Sequence, residues 1–272
     1  MRGFAYSRPG TLSDILDRLA EDTEARPLAG GMTLLPTLKQ RLSAPSELVD
    51  LAGVPLLAEI EEDEGELVIG AMATHASVAA SPLVNQLLPG LARLARHIGD
   101  AQVRNRGTIG GSVANNDPAA DYPAALLASG AAVVTDRREL PADDFFTGLF
   151  DTALEPGELV LSVRFPLNRR LAYAKFRHPI SGYAMAGVCV AGDADAWRVA
   201  VTGAGPGVFR LHDLEVRLSD RLDARAAETV DIPPGELISD FHAPSLYRAQ
   251  LVRVMAGQAI AELSAPSGST AG

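Results

Sequence analysis

Cysteine is almost absent from this chain of 272 residues, which contains Cys189 alone. One thiol cannot build a disulfide framework, an iron–sulfur cluster or a thiolate zinc site within the chain. Positive charge is also scarce, since 24 Lys and Arg residues stand against 34 Asp and Glu residues, for a formal net charge of −10. Binding along nucleic acid or an anionic membrane requires clustered basic side chains, so neither kind of partner is expected.

Long hydrophobic runs are missing as well. No stretch of about 18 apolar residues occurs, so the sequence predicts no membrane-spanning helix. Residues 1–6 lack the order of charged, apolar and small residues that marks a signal peptide. We therefore expect the protein in the cytoplasm.

The chain also lacks the short motifs of common catalytic and nucleotide sites. It has no G-x-x-x-x-G-K-[ST] phosphate loop, and no G-x-G-x-x-G follows its first predicted strand. Neither an H-E-x-x-H metal motif nor a G-x-S-x-G nucleophile motif occurs. No catalytic residue and no metal site is therefore predicted. If the protein takes part in catalysis, a bound cofactor must supply the chemistry.

The composition, 47% hydrophobic and 21% charged, is that of a globular protein. Predicted strands and amphipathic helices alternate first, and antiparallel strands followed by helices come after a boundary near residue 166. We predict a domain of residues 1–166, with lobes of about 1–53 and 54–166, and a second domain of residues 167–264. Residues 265–272 are predicted to form a disordered tail.

Several individual elements are predicted from spacing and from capping residues. Thr11 is expected to cap the first helix, and Pro82 to open a long helix that extends through Leu94. Further helices are predicted over residues 142–150 and 209–218. Hairpin turns are expected at residues 62–65, where Gly65 lies between two predicted strands, and at residues 193–195.

Two Gly-Gly pairs, Gly30 with Gly31 and Gly110 with Gly111, lie between apolar runs, with hydroxyl residues nearby. The first pair separates a predicted strand from a predicted helix, and the second lies in a predicted loop. Glycine lets a phosphate approach the backbone without meeting a Cβ atom, and free N–H groups at a helix start favour an anion. A tight packing turn is the alternative for each pair.

Three further residues have both a functional and an ordinary interpretation. Asp121, at a predicted helix start, could accept from a ribose hydroxyl or serve as an N-cap. Lys175, in a predicted strand, could face a cofactor or lie in solvent. Tyr183 could stack on an aromatic cofactor or pack in the core or a hairpin.

With these residues the sequence resembles the FAD-binding medium subunits of molybdenum hydroxylases, the group of aerobic carbon monoxide dehydrogenase and bacterial xanthine dehydrogenase. Residues 29–36, 108–121 and 175–184 carry the resemblance, which extends over nearly the whole chain. The sequence departs from the family at Met32, where many relatives have Gln or His. It departs again at Asn115 and Asn116, where an Ala-His or Ala-Asn pair is commoner.

The resemblance implies an α+β fold like that of vanillyl-alcohol oxidase and p-cresol methylhydroxylase. Two α/β lobes hold FAD between them, and a C-terminal α+β domain of antiparallel sheet and helices closes over it. The pyrophosphate and flavin lie between the two glycine segments, residues 28–36 and 104–112. Asp121 meets the adenosine part. The implied cofactor-binding residues are Ala29, Gly30, Gly31, Met32, Thr33, Leu34, Thr74, Thr108, Ile109, Gly110, Gly111, Ser112, Asp121, Val160, Lys175 and Tyr183.

The resemblance further implies an electron-transfer subunit of a heterotrimeric enzyme, assembled as a dimer of heterotrimers. A small subunit would carry two [2Fe–2S] clusters and a large subunit the molybdopterin, while this chain passes electrons through FAD to an external acceptor. Membrane association would be only indirect, if that acceptor is a quinone. A stand-alone flavin oxidase or dehydrogenase of the same fold remains an alternative, as does a non-catalytic nucleotide-binding module.

Overall fold

The computed structural model describes residues 1–193 and 196–265. Two predicted features, the turn around residues 194–195 and the tail after residue 265, lie outside the described residues. Within the described part of the chain, no helix is both long enough and apolar enough to cross a membrane.

A three-stranded parallel sheet in the order β1-β3-β2 forms the N-terminal part. Thr11 caps the first helix as predicted, because its hydroxyl accepts from the Asp14 N–H at 3.1 Å. Ile15 and Leu19 on that helix pack with Val49 of the central strand. The elements are β1 (Ala5–Ser7), α1 (Leu12–Glu21), β2 (Arg26–Leu28), α2 (Leu34–Lys39) and β3 (Glu47–Asp50).

A five-stranded antiparallel sheet in the order β4-β5-β10-β6-β7 follows, with helices packed against it. The predicted hairpin at Gly65 is present, with Glu64 and Gly65 both at positive φ between the two paired strands. The elements are β4 (Ile60–Asp63), β5 (Glu66–Gly70), α3 (His75–Ala80), α4 (Pro82–Leu87), α5 (Pro89–Arg96), α6 (Ala101–Arg106), α7 (Ile109–Asn115), α8 (Tyr122–Ser129), β6 (Ala132–Thr135), β7 (Glu139–Pro141), α9 (Ala142–Phe145), β8 (Phe146–Gly148), β9 (Asp151–Thr152) and β10 (Val160–Pro166).

A four-stranded antiparallel sheet in the order β11-β12-β13-β14 forms the C-terminal part. Its two faces belong to different cores, since Tyr173 and Cys189 pack with α8 while Val188 and Val190 pack with the last helix. Side chains two residues apart on a strand share a face, so Lys175 shares the α8 side with Tyr173. The elements are β11 (Arg170–Arg177), β12 (Ala184–Gly192), β13 (Trp197–Thr202), β14 (Phe209–Arg210), α10 (His212–Asp220) and α11 (Ser245–Ser264).

Three predicted helices were wrong in extent. The helix expected from Pro82 through Leu94 is split into α4 and α5, because Pro89 cannot continue a helix and starts a new one. The helix expected over residues 142–150 ends at Phe145, where the chain extends and pairs as β8. The helix expected over residues 209–218 begins only at His212, after the short strand β14.

The mixture of a parallel sheet, antiparallel sheets and packed helices confirms the predicted α+β class. Among the described residues, each sheet lies wholly before or wholly after the predicted boundary between residues 166 and 167. The domain boundaries stay a prediction.

Candidate functional site

The two glycine segments, far apart in sequence, meet through their backbones. A Cβ atom added at Gly30 would lie 2.0 Å from the Arg106 carbonyl oxygen and 2.8 Å from the Gly107 Cα atom. Contacts below 3.0 Å are not tolerated by real Cβ atoms, so a side chain at Gly30 would force the segments apart. Gly30 therefore serves the packing of one segment on the other.

The second glycine pair forms the first turn of α7, and the prediction of a loop there was wrong. Thr108 is the N-cap of α7, and its hydroxyl accepts from the Gly111 N–H at 3.1 Å. A Cβ atom at Gly110 would lie 2.4 Å from the Ala71 Cβ, whereas Gly111 is exposed. The two neighbouring glycines thus have different tasks, because Gly110 packs against the protein and Gly111 faces outward.

A cavity of about 670 Å³ lies where the segments meet, within the usual range of small-molecule sites. The turn of residues 181–183 borders it from the C-terminal side. Most of the predicted cofactor-binding residues line this cavity: Ala29, Gly30, Gly31, Met32, Thr33, Leu34, Thr108, Gly110, Gly111, Ser112, Asp121, Val160 and Tyr183.

The free backbone donors lie in the first segment. Within the described residues, the N–H groups of Met32, Thr33 and Leu34 donate to no protein acceptor. Gly31, at a φ of +72°, turns the chain just before them. In the first turn of α7 the N–H groups are already used, since those of residues 109–112 donate to carbonyl or hydroxyl oxygens of the protein. Free N–H groups in one wall and a side-chain-free backbone in the other fit the pyrophosphate of a dinucleotide.

Three predicted cofactor contacts are not among the residues that line the cavity, namely Thr74, Ile109 and Lys175. The Thr74 hydroxyl accepts from the Ser77 N–H at 3.1 Å and caps α3. Ile109 is fully buried in the hydrophobic core. The geometry therefore gives these residues structural tasks beside the cavity.

Lys175 and Asp121 form a buried ion pair beneath the cavity. The Lys175 Nζ lies 2.9 Å from the Asp121 Oδ2, and 1% of the Lys175 side chain is exposed. The Tyr173 hydroxyl donates to the other oxygen of the Asp121 carboxylate. Burial raises the pKa of Asp121 above its ordinary value, although Lys175 and Tyr173 both favour the carboxylate. Asp121 precedes α8 but makes no side-chain cap, so its carboxylate joins α8 to β11.

Tyr183 lies at the cavity and is 45% exposed, so it is not a core residue. It ends the turn that starts at His178, whose backbone N–H donates to the Tyr183 carbonyl oxygen at 2.8 Å. Partial burial, with the charge of Asp117, raises the pKa of the Tyr183 hydroxyl. A neutral aromatic ring therefore borders the cavity at neutral pH.

The residues that depart from the family divide between two tasks. Met32, which is 38% exposed, and Asn115 line the cavity. Asn116 ends α7 in the left-handed conformation, and its amide donates to the carbonyl oxygens of Gly148 and Asp151. Asn116 therefore ties α7 to the hairpin of β8 and β9.

His75 lines the cavity and was missed, because a single histidine at a helix start carries no motif. It is 5% exposed, and its Nδ1 atom has no hydrogen-bond partner among the residues that the structure describes. Burial, helped by the charge of Arg104, lowers the pKa of the imidazole from 6.5 to about 4. The ring is therefore neutral at pH 7.

We expect His75 to make stability depend on pH. Between its unfolded pKa of 6.5 and its folded pKa of about 4, only the unfolded chain takes up the proton. Acidification through this window should therefore cost about 3 kcal/mol of unfolding free energy. Urea unfolding at several pH values checks this, and His75→Phe should flatten the dependence. An equally steep slope in that variant would assign the effect to other groups.

Comparison with known proteins finds a matching family model and similar proteins. A family model described as the FAD binding domain in molybdopterin dehydrogenase matches residues 2–168. The nicotine 6-hydroxylase medium subunit of Paenarthrobacter nicotinovorans is 36% identical over 274 residues, which cover 96% of this chain and 97% of that protein. The carbon monoxide dehydrogenase medium chain of Afipia carboxidovorans is 34% identical, with 94% of this chain and 95% of that protein covered.

The fold is shared with solved structures as well. Quinoline 2-oxidoreductase from Pseudomonas putida 86 contains a chain that superimposes with a TM-score of 0.87 at 30% identity, and 96% of each chain is covered. This likeness over nearly the whole chain confirms the predicted fold.

Proposed function

Since the chain belongs to the family of FAD-binding medium subunits of molybdenum hydroxylases, and is therefore an oxidoreductase subunit, we propose that it passes electrons from iron–sulfur clusters of a partner subunit through FAD to an external acceptor. FAD supplies the reversible electron transfer, and the protein supplies binding, orientation and electrostatics.

The cavity between the glycine segments is the observation that carries this proposal. The free N–H groups of Met32, Thr33 and Leu34 would hold the pyrophosphate, and Gly111 would leave room beside it. Tyr183 would border the flavin ring from the C-terminal side.

Two of the three acidic groups that line the cavity, Asp121 and Glu158, are held in ion pairs, and the third, Asp117, accepts from the Ala119 N–H at 2.9 Å. This arrangement favours a relay over a substrate site. Asp121 is paired with Lys175, and Glu158 is held by Arg138 at 2.9 Å. The hydrogen bonds from Arg138 lower the pKa of Glu158 to about 2, so this carboxylate is a poor base at neutral pH. Substrate chemistry is therefore assigned to another subunit.

The partners that we propose are a small subunit with [2Fe–2S] clusters and a large subunit with molybdopterin, assembled as a dimer of heterotrimers. The relatives are named as medium subunits or chains, which implies further subunits. Cys189 is fully buried, and burial raises the pKa of its thiol, so it is unsuited to ligate a cluster.

Purification through a tag on this chain tests the proposal. We expect one FAD per chain, with iron and molybdenum on co-purifying subunits, measured by absorption spectroscopy, metal analysis and mass spectrometry. The chain freed of partners should retain FAD and oxidise no organic substrate. Turnover by the lone chain would favour the stand-alone oxidase, and a flavin-free chain would favour a nucleotide-binding module of another kind.

A further inference from the structure

A second cavity, of about 350 Å³, lies beside the first. The two cavities share three lining residues, Asp117, Ser181 and Tyr183. Tyr183 therefore borders both, and a molecule in the second cavity would be one aromatic ring away from the first. The other residues that line the second cavity do not line the first.

The charges around the second cavity disfavour phosphate groups. Among its described lining residues, the one Lys or Arg is Arg248, beside the acids Asp117 and Asp240. The Arg248 guanidinium donates to the carbonyl oxygens of Met185 and Gly203, each at 2.8 Å, and to the Asp240 carboxylate at 2.7 Å. Because this cation is already neutralised, a dinucleotide phosphate would meet net negative charge here.

Two histidines provide a hydrogen-bond donor at the same cavity. The backbone N–H groups of Ile180 and Ser181 donate to the His178 Nδ1 at 3.3 and 3.2 Å. This nitrogen therefore carries no hydrogen in the neutral ring, so the His178 Nε2 donates to the His242 Nδ1 at 3.2 Å. Among the described residues the Nε2–H of His242 has no acceptor, so it can donate to a ligand carbonyl.

Aromatic and apolar side chains surround this polar pair. Phe150 lines the cavity and is 58% exposed, with its backbone at a φ of +52°. A positive φ is costly for a bulky residue, so the fold holds this ring at the surface against strain. Tyr183, Met185 and Ile238 also line the cavity, whereas Phe241 lies edge-on to His242 outside the lining, with 5.7 Å between the ring centroids. Such walls suit a flat, uncharged ring.

We propose that the second cavity binds a quinone, a planar neutral ring with carbonyl acceptors, as the electron acceptor of this subunit. Phe150 and Tyr183 would contact the ring, and His242 would donate to a carbonyl oxygen. Reduction of the quinone to the hydroquinone takes two electrons and two protons. Fully reduced FAD, as FADH2, would supply both electrons and both protons and return to oxidised FAD. The inference rests on the proposed function.

Binding of menadione, a neutral naphthoquinone, to the FAD-loaded protein with its co-purifying subunits tests the proposal. Calorimetric titration should give saturable binding that Phe150→Ala and His242→Ala each weaken about tenfold, the loss expected for one good contact. His212→Ala is the matched control, because His212 lies on α10, is 71% exposed on its side chain and lines neither cavity. It should leave the Kd unchanged.

The flavin absorption of every preparation separates a failure of the proposed function from a failure of the proposed quinone site. A protein without FAD contradicts the proposed function, whereas a protein with FAD that binds no menadione contradicts only the quinone site. Menadione binding unchanged in both cavity variants would also overturn the assignment. NAD that competes with menadione, and is lost in the same variants, would replace the quinone by a dinucleotide.

Discussion

Replacing Gly111 with valine is expected to weaken FAD binding by about 10- to 100-fold, the equivalent of the 1–3 kcal/mol that overpacking costs. Gly111 is exposed in the wall of the cavity, and its added Cβ would already lie 2.9 Å from the Thr108 hydroxyl oxygen. The two further methyl groups of valine would extend into space that the cofactor needs. Equilibrium titration of the flavin-free protein with FAD measures the effect.

Two other glycines control for this result. Gly235→Val should leave FAD binding unchanged, because a Cβ there has no neighbour within 4 Å. Gly110→Ala should instead destabilise the fold, since its Cβ would meet Ala71 at 2.4 Å. Full FAD affinity in a folded Gly111→Val protein would remove α7 from the cofactor site.

Replacing Lys175 with methionine is expected to cost about 3–5 kcal/mol of unfolding free energy, the usual loss when one partner of a buried ion pair is removed. Asp121 would keep its buried carboxylate with the Tyr173 hydroxyl as its one side-chain donor among the described residues. Urea unfolding of the two proteins at neutral pH measures the difference.

A second substitution separates charge from packing. In the background of Lys175→Met, Asp121→Asn removes the uncompensated charge and should restore part of the lost stability. Arg18→Met breaks the exposed pair with Glu47 and should change stability by less than about 1 kcal/mol. A loss at Lys175 no larger than that at Arg18 would show that the buried pair adds little.

The sequence could predict the elements whose cause is local. Thr11 caps α1 through its own side chain, and Gly65 turns the hairpin, so both appear where the sequence placed them. Pro89 was overlooked as a break, although the same local chemistry explains it. The resemblance joined the two glycine segments, and both line one cavity, but their contact with the cofactor stays a prediction.

Which residues of the site pack against the protein and which face the cavity depends on tertiary contacts, and a single sequence does not contain these. Gly110 and Gly111 look alike in sequence, yet one packs on Ala71 and the other faces the cavity. Lys175 forms an ion pair with Asp121 on the α8 side of its strand, a pairing that their positions in the sequence do not show. The fold places His75 beside the second segment in the cavity wall, and its position in the sequence does not show this.

A structure of this protein with FAD bound tests the central claim most directly. It should show FAD in the cavity between the glycine segments, with the pyrophosphate at the N–H groups of residues 32–34 and Gly111 against the cofactor. Tyr183 should lie beside the flavin ring. FAD bound elsewhere on the chain, with this cavity left to solvent, would contradict the claim.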